Sequence, residues 1–180
     1  MAISIACPMR TVDIRSIAKF VREKLLGIPP DRFIKMANVL DVLSLKLSKH
    51  GFDYVVLPDE DSTFKEDEEA KTNIVTGEIF FKESVIQQAL HKRYCRANFT
   101  IAHEIGHFVL HRVFNLITFS RGTSESQNLI YRNPEWQADT FASELLMPYE
   151  ECLNLSPEEI RRKYHVSRSA AQTRYNKIHQ

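Results

Sequence analysis

The chain has 180 residues, 43% of them hydrophobic, and its 24 Lys and Arg against 23 Asp and Glu give a formal net charge of +1. That length supports one real core with a small accessory lobe but not two full domains, and the balanced charge removes any global pull toward nucleic acid or an anionic membrane. Cys7, Cys95 and Cys152 are odd in number and widely spaced, unlike a disulfide framework or a Cys-x-x-Cys metal site, so a reducing cytoplasm is the expected compartment.

The N-terminal "MAISIACPMR" is apolar but too short and too poorly charged for a signal peptide, and no stretch approaches the roughly 18–20 apolar residues of a membrane span. Ile14, Ile17, Val21 and Leu25 recur at helical spacing, predicting a helix over residues 13–26 that ends at "GIPPD". A second helix is expected from Asp31 to His50, on the stripe Phe33, Met36, Leu40, Leu43 and Leu47, with Gly51 as its stop. "FDYVVL" reads as a short strand and "NIVTGEIFF" as a hairpin turning at Thr76-Gly77, which predicts a small antiparallel sheet. Between them, residues 59–70 carry seven acidic residues and one lysine. Such a run is usually a solvated loop; the sharper reading is recognition of a basic substrate.

"NFTIAHEIGHFVLH", residues 98–111, contains His-Glu-x-x-His. Positions i and i+4 of a helix share a face, so His103 and His107 can converge on one cation, while Glu104 beside them can take a proton from water. Phe99, Ala102, Gly106 and Val109 form an apolar stripe away from the histidines, and a glycine inside a helix suggests another segment packed very close to Gly106. The competing reading is an amphipathic helix that carries the pentapeptide by chance. His111 lies two turns from His103, too far to share one ion with it, and is expected to support the site or the fold instead. "TFSRGTSESQN", residues 118–128, reads as a loop that either covers a cleft or simply connects helices.

In "NPEWQADTFASELLMP", residues 133–148, Asn133 can cap a helix, Pro134 suits its first turn, and Trp136, Phe141, Leu145 and Leu146 supply a face to bury. Glu135 and Asp139 then share one side. Glu135 could complete a His, His, Glu set that leaves a fourth position open, and Asp139 could orient a ligating imidazole. Without the upstream motif the two acids would read as a solvated face. At the C-terminus Ser156 and Glu159 form a capping box, and "HVSRSA" restarts a helix as in a helix-turn-helix. Arg161, Arg162, Lys163, Arg168, Arg174 and Lys177 could grip phosphates there, but a packing hairpin with solvated charges is the preferred reading. Tyr131, Arg132, His111 and Tyr149 are candidates for stabilising an oxyanion, with nothing in the sequence to choose among them.

Three runs together, "EAKTNIVTGEIFFKESV", "RANFTIAHEIGHFVLH" and "EWQADTFASELLMP", resemble the ImmA/IrrE family of metallopeptidases over most of residues 50–150. The resemblance implies a gluzincin-like peptidase of bacteria or their mobile elements, acting on a helix-turn-helix repressor. Carried over by position, it implies His103, His107 and Glu135 as zinc ligands, Glu104 as general base and Asp139 as the orienting carboxylate. One departure is Gln137, where many members have a second glutamate. The expected fold is α+β, a mainly helical zincin-like domain spanning 1–180. It divides into a helical part (1–50), a zinc-binding core (51–150) and a helical hairpin (151–180). The expected function is a zinc-dependent endopeptidase cleaving a transcriptional repressor, without a membrane and without direct nucleic-acid binding. The alternative is a DNA- or protein-binding regulator with a structural or vestigial zinc site.

Overall fold

In the computed structural model, which describes residues 6–91, 95–114 and 129–180, the first apolar repeat forms helix α1 (Thr11–Phe20), continued by a π-helical turn over Val21–Leu25. Ile14, Ala18 and Val21 are buried. Helix α2 is shorter than its apolar stripe suggests: it spans Leu40–Leu47, between 3-10 turns at Met36–Val39 and Ser48–His50. The cause lies in Arg22. Its buried guanidinium donates to the carbonyls of Pro29 at 2.9 Å, Pro30 at 3.3 Å, Leu145 at 2.5 Å, and Arg32. The chain at 29–32 is thereby held in a turn, with the carbonyls of Pro29, Pro30 and Arg32 bonded to Arg22 and the Arg32 N–H bonded to the Pro29 carbonyl, an arrangement that competes with a helix starting at Asp31. Phe33 falls outside the helix and Ile34 takes the core position instead. Gly51 does end the segment, at a φ of 79° that favours glycine.

Strands β1 (Asp53–Leu57), β2 (Ala70–Thr72) and β3 (Glu78–Lys82) form one sheet in the order β1-β3-β2. β2 runs antiparallel to β3, but β1 runs parallel to it, so the sheet is mixed rather than antiparallel. The hairpin turns at Thr76-Gly77 as expected, but its first strand lies earlier, at Ala70–Thr72, because residues 73–75 belong to the turn. Asn73 Oδ1 accepts from the backbone N–H of Val75 at 3.0 Å and Thr76 at 3.2 Å, a local bonding pattern that competes with strand pairing. Arg112 ties this turn down by donating to the carbonyls of His50 (2.8 Å), Ile74 (2.9 Å) and Val75. A side chain on Gly77 would put Cβ 2.2 Å from the Gly51 carbonyl oxygen, so the close approach requires glycine.

Helices α3 (Glu83–Leu90), α4 (Cys95–His107, continued by a π-helical turn over Phe108–Val113) and α5 (Pro134–Leu146) follow. α5 begins as its residues predict: Asn133 Oδ1 accepts from the N–H groups of Glu135 and Trp136, and Pro134 fills the first turn. α4 and α5 cross in close contact at Gly106, where an added Cβ would lie 3.1 Å from Phe141 Cδ1 and 3.2 Å from Ala138 Cα. The glycine therefore marks a tight helix crossing. α1 lies along α5 as well, and one hydrophobic cluster runs from Met9 to Ala171. Among the described residues no helix is long and apolar enough to cross a membrane.

After the short α6 (Tyr149–Cys152), α7 (Pro157–Tyr164) and α8 (Arg168–Ile178) form the C-terminal hairpin. The Ser156–Glu159 capping box is present, and Ile160, Tyr164 and Ala171 are buried. Arg174 is buried too, with Nη1 and Nη2 at 3.0 and 2.6 Å from the Glu144 carboxylate of α5. The hairpin thus closes the core, and the architecture is α+β and mainly helical.

Candidate metal centre

α4 presents His103 and His107 one turn apart, and the N-terminal turn of α5 brings Glu135 opposite them. His103 Nε2 and His107 Nε2 are 2.9 Å apart, and Glu135 approaches with Oε2 3.2 Å from His103 Nε2 and Oε1 3.5 Å from His107 Nε2. Tetrahedral zinc with bonds of about 2.0–2.1 Å holds its ligand atoms about 3.3 Å apart. The spacings of 2.9, 3.2 and 3.5 Å, the last two to different oxygens of Glu135, lie around that value. Asp139, one turn beyond Glu135, accepts from His103 Nδ1 at 2.8 Å, so that in the neutral ring a metal would bind, Nε2 is the lone pair aimed at the other two groups. The three side chains form a group able to hold a metal ion.

The local electrostatics agree. Burial pulls His103 down, but its hydrogen bonds to Asp139 and Glu135 outweigh burial and push it up to about 9. Hydrogen bonds from His103 and His107 hold Glu135 far below the usual carboxylate range. A field that draws a proton so strongly also favours a divalent cation. Behind His107, burial and then the neighbouring His107 push His111 down to about 4, so it is neutral at physiological pH. His111 Nδ1 lies 3.1 Å from His107 Nδ1, and its Nε2 lies 2.9 Å from Gln137 Oε1. Gln137 therefore points into the core, away from the three converging groups.

The group opens into a cleft of about 500 Å³ whose walls include Lys71, Thr72, Arg96, Thr100 and Glu104. Thr72 was not foreseen from the sequence. Its hydroxyl lies 2.6 Å from Glu104 Oε2 and 3.1 Å from the Glu104 carbonyl, and no periodicity or motif marks a threonine 32 positions away in a three-residue strand. The acidic run divides in two. Asp59 accepts from the Ser84 N–H at the start of α3 and Asp61 from the Thr63 N–H, whereas Asp67, Glu68 and Glu69 line the cleft, Glu69 paired with Arg96 at 3.0 Å.

None of the four oxyanion candidates lines this cleft. His111 faces Gln137, Tyr149 lies under the Arg15 guanidinium at 3.6 Å, and Tyr131 packs edge-on against Trp136. The loop expected at residues 118–128 lies outside the described residues.

Residues 90–176 match the family model of the IrrE N-terminal-like domain, a peptidase family. No curated protein matches the chain. Among solved structures, a Mycobacterium tuberculosis transcriptional regulator superposes with a TM-score of 0.58 at 14% identity, over 90% of this chain and 46% of that one. The likeness is one of fold, and this chain spans just under half the length of the regulator.

Proposed function

Because the chain belongs to the family of the IrrE N-terminal-like domain, we propose that it is a zinc-dependent endopeptidase whose substrate is a regulatory protein, a helix-turn-helix repressor in particular. The observation that carries this reading is the convergence of His103, His107 and Glu135 beside Glu104 in an open cleft. Three protein donors leave a coordination position for water or substrate, the arrangement of a catalytic rather than a structural site. A zinc ion held there would polarise the scissile carbonyl and lower the pKa of water.

His103, His107 and Glu135 bind in this scheme, and Asp139 keeps the His103 ring turned toward them. Glu104 takes the proton of the attacking water and later passes it to the leaving amine, as a general base and then acid. Thr72 holds Glu104 Oε2, so Oε1 remains as the oxygen that receives the proton. Among the described residues β2 is an edge strand on the cleft wall, paired only with β3, and suits main-chain pairing with an extended substrate segment. The continuous core supports treating 1–180 as one domain, and the cysteine usage supports work in a reducing cytoplasm.

The regulator among the structural neighbours raises the alternative of DNA binding, but the hairpin's basic residues favour packing. Arg174 is buried on Glu144, Arg161 pairs with Glu158 at 2.6 Å and Lys163 with Glu151 at 2.7 Å. The deciding experiment mixes the zinc-loaded protein with helix-turn-helix repressors and follows cleavage. Glu104→Gln should keep about one zinc per chain yet cleave about 10²–10⁴-fold more slowly, since an amide cannot take the proton. Wild-type turnover by that variant would overturn the mechanism.

A further inference from the structure

The two metal-facing histidines are each held from behind, but by partners of different kinds. His103 Nδ1 meets the Asp139 carboxylate, whereas His107 Nδ1 meets another imidazole nitrogen, His111 Nδ1, at 3.1 Å. An ionised carboxylate can only accept a hydrogen bond, but a neutral imidazole nitrogen either donates or accepts. The position of the proton on His107 is therefore decided further along the chain of contacts.

Gln137 decides it. Its Nε2 lies 2.8 Å from the Cys7 carbonyl and 2.8 Å from the Tyr131 carbonyl. Carbonyls only accept, so the amide –NH₂ must face them and Oε1 must face His111. His111 Nε2, 2.9 Å from that oxygen, then carries the hydrogen of the neutral ring. Its Nδ1 is left as a lone pair, which accepts the Nδ1–H of His107, and His107 Nε2 is left bare toward His103 and Glu135. Gln137 and His111 are 0% and 4% exposed, so water does not replace either partner.

From this geometry we infer that Gln137, acting through His111, is a positioning residue that sets the tautomer of His107 and so keeps Nε2 available to a metal. The inference rests on the metallopeptidase reading of the site. It also accounts for glutamine at this position: a carboxylate would lack the –NH₂ that the two backbone carbonyls bond. Outer partners of this kind are typically worth about 10–100-fold in metal affinity.

Two-bond proton–nitrogen correlation spectra of nitrogen-labelled protein, recorded with and without one equivalent of zinc sulfate, distinguish an Nδ1–H ring from an Nε2–H ring. The expected result is a neutral Nε2–H tautomer for His111 and Nδ1–H for His107 in the zinc form. In parallel, Gln137→Met and His111→Phe should lower zinc affinity about 10–100-fold in competition with a chromophoric chelator. A His111 proton on Nδ1, or wild-type zinc affinity in both variants, would overturn the relay. A wild-type protein that takes up no zinc would remove the metal-site reading, while its histidine tautomers would still decide the relay.

Discussion

Removing Glu144 should unfold the C-terminal hairpin before it affects anything else. Glu144 is 4% exposed and receives both terminal nitrogens of Arg174, itself 4% exposed, together with Arg15 Nε at 3.2 Å. Glu144→Met takes away the carboxylate bonded to Arg174, whose Nε has no hydrogen-bond partner among the described residues. Breaking a buried pair from one side costs about 3–5 kcal/mol, because the remaining charge is stranded away from water. At about 2–4 °C per kcal/mol for a chain of this size, the melting temperature should fall by about 6–20 °C. Arg174→Met should cost less, since Arg15, with 23% of its side chain exposed, still accompanies Glu144. The double variant Glu144→Met/Arg174→Met replaces the pair with apolar volume and should return to within about 1 kcal/mol of the wild type. Urea unfolding followed by far-UV circular dichroism measures all four proteins. A Glu144→Met protein within about 1 kcal/mol of wild type, or a double variant as unstable as the sum of the singles, would refute the reasoning. The same geometry governs how DNA binding is tested: charge reversal at Arg174 would report folding, so the exposed Arg162 and Arg168 are the informative positions.

Thr72→Val deletes the hydroxyl held 2.6 Å from Glu104 Oε2 and should lower kcat about 10–100-fold at unchanged zinc content, with Thr72→Ser close to wild type; equal loss in both would point to packing instead. Asp139→Ala frees the His103 ring and should weaken zinc binding about 10–100-fold in chelator competition, and undiminished affinity would remove its orienting role. Burial, opposed in part by Arg174, pushes the Cys152 thiol up to about 11. Because the folded state favours the neutral thiol, this group costs stability only as pH rises above its ordinary 9.0 toward that value. Near neutral pH, iodoacetamide should therefore label the partly exposed Cys95 and reach Cys152 only after denaturation, with mass spectrometry of the native protein as the check.

Most of the candidate site was legible because its parts lie on two helices whose periodicity is local. His103 and His107, or Glu135 and Asp139, share a face through the helical repeat alone, and the caps Asn133 and Ser156 announce where their helices begin. Gly106 was legible for a related reason, since a residue costly to a helix implies a contact that needs it. The expected start of the second helix failed where a distant group intervened: the apolar stripe from Phe33 is real as a pattern, but Arg22 holds the preceding turn by the Pro29 and Pro30 carbonyls and also takes the carbonyl of Arg32, at the start of the expected helix. The sheet was misjudged because pairing direction is a property of where strands meet, and nothing within "FDYVVL" states that β1 will lie parallel to β3.

By itself the sequence determined the local terms: helical faces, caps, stops, and the chemical identity of groups able to bind a cation and move a proton. Only the tertiary structure decided that Glu135 closes on the two histidines, that Thr72 reaches Glu104 from another layer, and that Gln137 turns inward to His111. It also decided that Arg174, one of six basic residues in the hairpin, is a core residue rather than a surface charge. The physical reason is range. Backbone periodicity and capping act over a few neighbouring residues, whereas hydrogen-bond partners and desolvation depend on which distant segments share a few ångströms of space.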